Sequence, residues 1–141
     1  MRLIIAGGRD FSDFDYGFKC IDHMTKNIPK QEITIICGGA LGGDTCGKEW
    51  YKLHKHEGVK IEYFKPDWDD ITKPDAVIKI NKFGKEYNAK AGMDRNHNMG
   101  DTATHLIAFH DGVSKGTKDM INYMKQLKKP VKVFEYQGGD K

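Results

Sequence analysis

Residues 35–45 read IICGGALGGDT, an apolar, β-branched run that breaks into glycines just ahead of an amphipathic stretch. A buried strand that turns into a helix through glycine builds an anion cradle. Glycine lets the backbone come close, and the helix N-terminus presents unpaired N–H groups with a partial positive charge. The same pattern stands on either side, as LIIAGGRD at 3–10 and LIAFHDGVSKGT at 106–117. Three such turns in 141 residues imply one crevice that holds a phosphate-bearing small molecule.

Outward from these turns the chain alternates strands and helices. RLIIA at 2–6, ITIIC at 33–37, VKIEYF at 59–64, HLIAF at 105–109 and PVKVF at 130–134 read as strands. The second is apolar on both faces, as a strand covered by helices should be. Phe18, Ile21, Met24 (or Thr25) and Ile28 recur at helical spacing, with Ser12 and Asp15 as a capping box and Pro29 as the stop. Cys46, Trp50 and Leu53 make the stripe of a second helix, which opens near Asp44-Thr45 and closes at Gly58. Arg95 and Asn96 are expected in the first turn of a third, and Met120, Ile121, Met124 and Leu127 line a fourth. Lys125, Lys128 and Lys129 complement the dipole at the end of that last helix. Between them, 65–91 reads as a long polar loop in which 75–83 is expected to form a helical turn or two. The whole is one α/β domain, 1–141, with a flexible tail over 136–141. Its parallel sheet gathers every strand's carboxyl end along one edge, where ligands bind at the point of reversed strand order.

Composition narrows the function. A net charge of +3 is well short of a nucleic-acid signature. No segment has the roughly 18 apolar residues that span a bilayer. MRLIIAGGRD turns polar too soon for a signal peptide, so a cytoplasmic, membrane-free protein is expected. The three cysteines lack metal or redox spacing and are expected as reduced thiols. The six histidines show no ligand pattern, so neither a metal nor another cofactor is expected. No GxSxG elbow supports acyl transfer. The turn at 38–43 is neither a P-loop nor a dinucleotide fingerprint.

Each candidate has a functional and a plain structural reading. Gly38, Gly39, Gly42 and Gly43 either offer backbone donors to a phosphate or make a tight turn. Gly112, Ser114, Gly116 and Thr117 repeat that choice, since a hydroxyl of Ser114 or Thr117 can cap the helix or meet a phosphate. Arg95 either forks onto an anion or pairs with Asp94 or Asp101 in solvent. Gly7, Gly8, Arg9 and Asp10 follow the first strand, and Asp10 either accepts ribose hydroxyls or caps its own loop. Asp44 lies at the second turn, and Trp68 is a candidate for base contact.

Five of these segments, GGRDF at 7–11, CGGALGGDT at 37–45, PDW at 66–68, AGMDRNHNM at 91–99 and LIAFHDGVSKGT at 106–117, occur in the order of the SLOG superfamily. The chain resembles its small YspA-like, cpYpsA-related branch and, more distantly, the LOG phosphoribohydrolases and the DNA-processing DprA proteins. The resemblance implies a Rossmann-like three-layer sandwich, with helices on both faces of a mostly parallel sheet, and a nucleotide or ADP-ribose-like ligand. The LOG enzymes carry a PGGxGTxxE motif and an Arg before the preceding strand. Arg95 matches that Arg, and Gly112, Gly116 and Thr117 match the phosphate loop, although the turn is one residue longer here. His110-Asp111 replaces the usual Pro-Gly, and Met120 stands where the catalytic Glu is expected. Binding machinery is kept, then, and the catalytic carboxylate is not. The leading expectation is a sensor or sequestering protein for a nucleotide-like small molecule. An N-glycosidase on nucleoside 5′-monophosphates is the alternative, with Arg95 and a carboxylate from Asp119, Asp111 or Asp10 as the catalytic groups. A single-stranded nucleic-acid binder comes third. Self-association into a homo-oligomer is also expected, with Trp50, Tyr51 and Tyr123 as contact candidates.

Overall fold

A computed structural model describes residues 1–38, 42–72 and 74–136. Five strands form one parallel sheet: β1 (Arg2–Gly7), β2 (Thr34–Cys37), β3 (Lys60–Tyr63), β6 (His105–His110) and β7 (Val131–Glu135). Their spatial order is β3-β2-β1-β6-β7, so β1 is central, with Leu3 opposite both Ile35 and His105. Helices α1 (Phe14–Thr25) and α2 (Gly43–His54) cover one face; α3 (Ala91–Thr102) and α4 (Lys115–Gln126) cover the other. The fold is the expected Rossmann-like three-layer sandwich.

Side-chain alternation along the strands divides the core in two. Leu3, Ile5, Ile35, Ile107 and Phe109 point toward α1 and α2 and pack with Ile21, Cys46 and Trp50. Ile4, Ile36, Leu106 and Ala108 point the other way and meet Met99, Met120 and Met124 of α3 and α4. Both faces of the central strands are therefore dry, and their sequences run apolar without a polar partner face.

Several local expectations need correction. The N-cap of α1 is Asp13, whose carboxylate accepts the amide of Tyr16 at 3.2 Å, and not the Ser12–Asp15 box. The stripe on α2 is narrower than its spacing suggested, because Leu53 is 54% exposed where the helix end clears the sheet. Residues 78–88 form an antiparallel hairpin, β4 (Ile78–Ile80) with β5 (Glu86–Asn88), where helical turns were expected. Asn81 closes its turn by accepting from the amides of Phe83 and Lys85, and Gly84 supplies a φ of 80°. Helix α3 starts four residues before Arg95, placing that residue in its second turn. Lys129 reaches back to the carbonyls of Gly100 and Asp101 and so caps α3, not its own helix. Trp50 is fully buried and donates its indole N–H to Asp22, which removes it from any surface contact. Tyr51 packs partly buried on the same core, and the Tyr123 ring stacks on His97. Tyr136, assigned to the tail by its sequence position, is docked: its ring packs edge-on against Phe11.

Helix α2 begins in near-contact with the end of β1. A Cβ on Gly43 would stand 2.2 Å from the backbone nitrogen of Gly7, and one on Gly42, at φ 75°, would stand 1.8 Å from the carbonyl oxygen of Gly8. Backbone lies on both sides of this contact, so no side chain can move away to make room. Gly43→Ala is expected to lower stability by about 1–3 kcal/mol through overpacking, read as a lower urea midpoint with an unchanged slope.

Candidate functional site

The strand order reverses between β1 and β6, because the chain leaves β1 toward β2 and returns on its other side. A crevice of about 260 Å³ opens there, beyond the carboxyl ends of the two strands. Its floor is apolar, with Ile4 and Ala6 of β1, Met99 of α3 and Met120 of α4. Its walls carry Gly7 and Arg9 after β1, Asp44 in the first turn of α2, Arg95 and Asn96 of α3, and Ser114, Gly116 and Thr117 where α4 begins. The three glycine-bearing turns thus meet at one rim.

Electrostatically this rim is short of negative charge. The first amides of a helix have no intrahelical acceptor. Asp13 answers this need for α1, whereas the N-caps of α2, α3 and α4 (Gly42, Lys90 and Ser114) make no side-chain cap hydrogen bond. The Ser114 hydroxyl lies instead 3.2 Å from the hydroxyl of Thr117. Arg95 lies across the backbone of Gly38: its Nη1 donates to the Gly38 carbonyl at 2.5 Å and its Nε to the Asn96 side chain at 2.9 Å. A Cβ on Gly38 would fall 2.8 Å from that Nη1, so glycine is what lets the guanidinium settle there. Neither carboxylate that was a possible partner for Arg95 is engaged with it. Asp94 is 3.9 Å from Lys90, and Asp101 accepts from the Tyr123 hydroxyl at 2.6 Å. Arg9 has no ion pair or hydrogen bond from its side chain among the described residues. Asp44 is the acidic side chain among those that line the crevice.

The other candidates stand elsewhere. Asp10 accepts the hydroxyl of Tyr136 at 2.6 Å, beside Gly8, where a Cβ would collide with that hydroxyl. Burial and the Asp10 carboxylate push the Tyr136 phenol well above its ordinary value. Gly42 and Gly43 are taken up by the α2–β1 contact, and Gly112 supplies a φ of 91° in the turn after β6. Asp111 accepts the amides of Val113 and Ser114 at 2.9 and 2.8 Å and fixes that turn from outside the crevice. Asp119 faces His97, Oδ2 to Nε2 at 3.2 Å, at an angle that makes no hydrogen bond, while its neighbour Met120 takes the place in the crevice floor. Trp68 lines a separate groove. Gly39 lies outside the described residues. Among the described residues no three His, Cys, Asp or Glu side chains are grouped to hold a metal ion, and no helix is long and apolar enough to cross a membrane.

Sequence reasoning missed the floor and one anchor. Met99 could have been found, since it follows Arg95 at i+4 on the same helical face. Tyr136 gives no local signal, because its partner is 126 residues away.

Residues 1–70 match the sequence profile of the YspA, cpYpsA-related SLOG family. The matched span holds Gly7, Arg9 and Asp44; Arg95 and the turn before α4 lie beyond it. No curated protein matches the chain.

The Asp111 carboxyl is held below its ordinary value, chiefly by the amides of Val113 and then Ser114. A carboxyl depressed in the folded state contributes stability that is full above its unfolded pKa and is lost as pH falls through the folded one. Urea midpoints of the wild type should therefore exceed those of Asp111→Asn at pH 6. The gap should close as pH drops below about 4.

Proposed function

The chain belongs to the YspA, cpYpsA-related SLOG family, and from that premise we propose that its crevice binds a nucleotide or a nucleotide-derived ligand of the ADP-ribose type, as a sensor or sequestering protein. The observation that carries this reading is Arg95: a part-buried guanidinium that has no carboxylate partner among the described residues, near three helix starts that make no side-chain cap hydrogen bond among those residues. A part-buried cation held only by neutral acceptors gains when an anion arrives to pair with it. A phosphate supplies the missing charge, accepts from the open amides of α4, and gives Arg9 a partner. The apolar floor of Ile4, Met99 and Met120 suits the carbon face of a ribose, not a second charge.

Ribose 5-phosphate and AMP are the direct probes, by titration calorimetry. Both should bind, and Arg95→Ala should weaken both at least tenfold, about 1.4 kcal/mol. Gly116 gives a sharper separation of binding from folding. A Cβ there meets nothing within 4 Å, and Gly116 lines the crevice in the first turn of α4. Gly116→Ala should keep or slightly raise the melting temperature while lowering affinity for both probes. Undiminished affinity in both variants would move the ligand out of this crevice.

Asp44 favours a second reading, N-glycoside hydrolysis, because it places a carboxylate in the crevice. The carboxylates expected for that role, Asp119, Asp111 and Asp10, are not among the residues that line the crevice. On this reading wild-type protein releases free base from a nucleoside 5′-monophosphate, and Asp44→Asn stops the release while still binding.

A further inference from the structure

A second concavity lies one helical turn from the crevice. It is a groove of about 350 Å³ lined by Trp68, Asp69, Asn81, Lys85 and Tyr87. The hairpin of β4 and β5 forms one side, and the indole of Trp68 meets the Tyr87 ring edge-on, with centroids 6.3 Å apart at 72°. Trp68 is 44% exposed, so part of its indole is open to solvent at the groove. One detail fixes its backbone and another its ring. Its backbone carbonyl accepts the amide of Asn88 at 2.7 Å, and its ring edge rests on Gly92, where a Cβ would come within 3.0 Å.

Gly92 is the link to the crevice. Gly92, Arg95, Asn96 and Met99 stand at i, i+3, i+4 and i+7 of α3 and so share one face. The first touches the Trp68 ring and the other three line the crevice. One stripe of α3 therefore runs from Gly92, which the Trp68 ring touches, to Arg95, which has no carboxylate partner among the described residues; the two backbone positions lie about one turn, ~5.4 Å, apart along the helix axis. In a nucleotide a ribose links phosphate and base, so anion, spacer and aromatic ring follow in the order that this stripe presents.

We infer that the groove at Trp68 is an aromatic subsite of the same ligand, which takes a planar heterocycle against the indole while the phosphate sits by Arg95 and the start of α4. The inference rests on the anion-binding reading of the crevice and adds what that reading lacks, a reason to prefer a nucleotide over a bare sugar phosphate. The groove offers a π-face and an apolar wall. The charges at its mouth, Lys85 and Asp69, are 3.0 Å apart and answer each other. An uncharged aromatic ring fits it better than a second anion.

The experiment compares AMP with ribose 5-phosphate. AMP is expected to bind at least tenfold more tightly. Trp68→Ala should abolish that advantage and leave ribose 5-phosphate affinity where it was, and Trp68→Phe, which keeps a stacking face, should restore most of it. Tryptophan emission gives a second readout that a purely structural role would not move. Trp50 is fully buried, so quenching by AMP is expected to come from Trp68 and to vanish in Trp68→Phe. Should Trp68→Ala not fold, this comparison of wild type with Trp68→Phe decides alone. An AMP advantage that survives in Trp68→Ala, an equal loss for both probes, or AMP binding without quenching overturns the subsite but leaves the anion crevice standing. Failure of both probes to bind the wild type overturns both.

Discussion

The contact between backbone at the end of β1 and backbone at the start of α2 sets the geometry of everything around it. Gly7, Gly42 and Gly43 bring the two within the space that a single methyl group would fill. That closeness seats the N-terminus of α2 over the strand end and brings Asp44 to the crevice wall. The turn carrying Arg9 is part of the same contact, since a Cβ on Gly42 would also stand 3.1 Å from the Arg9 Cα. With β1 in the middle of the sheet, a shift here would pass to β2 and β6 through their shared register.

The second constraint is electrostatic, and it runs against stability. Folded proteins usually satisfy helix ends with side chains and pair their part-buried cations. Here α1 follows the rule through Asp13, and the three helices whose first turns adjoin the two concavities do not. Arg95 spends its hydrogen bonds on a carbonyl and an amide, which orient the guanidinium without neutralising it. Such departures from local satisfaction are expected at functional or strained sites, and the proposed anion-binding reading rests on them. The neighbouring acids fit the same picture: Asp10 accepts from Tyr136, Asp111 accepts from backbone amides, Asp119 faces His97, and none of the three lines the crevice.

How much of this could be read beforehand follows from the range of each interaction. The central strands β1, β2 and β6 were legible because burial on both faces makes their sequences nearly uniformly apolar, and the edge strands β3 and β7 because apolar and charged residues alternate along them. The convergence of the turns followed from the parallel connectivity alone. The hairpin at 78–88 was not legible, since an apolar pair at i and i+2 inside a short polar stretch fits a strand or a helix turn equally well. The role of Gly42 and Gly43 was ambiguous for a different reason. A close backbone approach and a phosphate loop both demand a missing side chain, and only coordinates show which neighbour fills the space. Arg95 had two readings as well; the placement of Asp94 beside Lys90 and Asp101 beside Tyr123 removes the solvent ion pair. Tyr136 was out of reach altogether, because a hydrogen bond across 126 residues leaves no local trace.

The position of β1 bears on how the chain acquires its shape. It is the first strand to be synthesised, yet one of its two neighbours, β6, begins more than a hundred residues later, and the hydroxyl that secures its loop belongs to Tyr136. Contacts of such long sequence separation form late and slowly. During synthesis the nascent chain therefore carries β1 and β2 as an unfinished sheet with one apolar edge bare, and the crevice comes into being only after nearly the whole polypeptide has emerged.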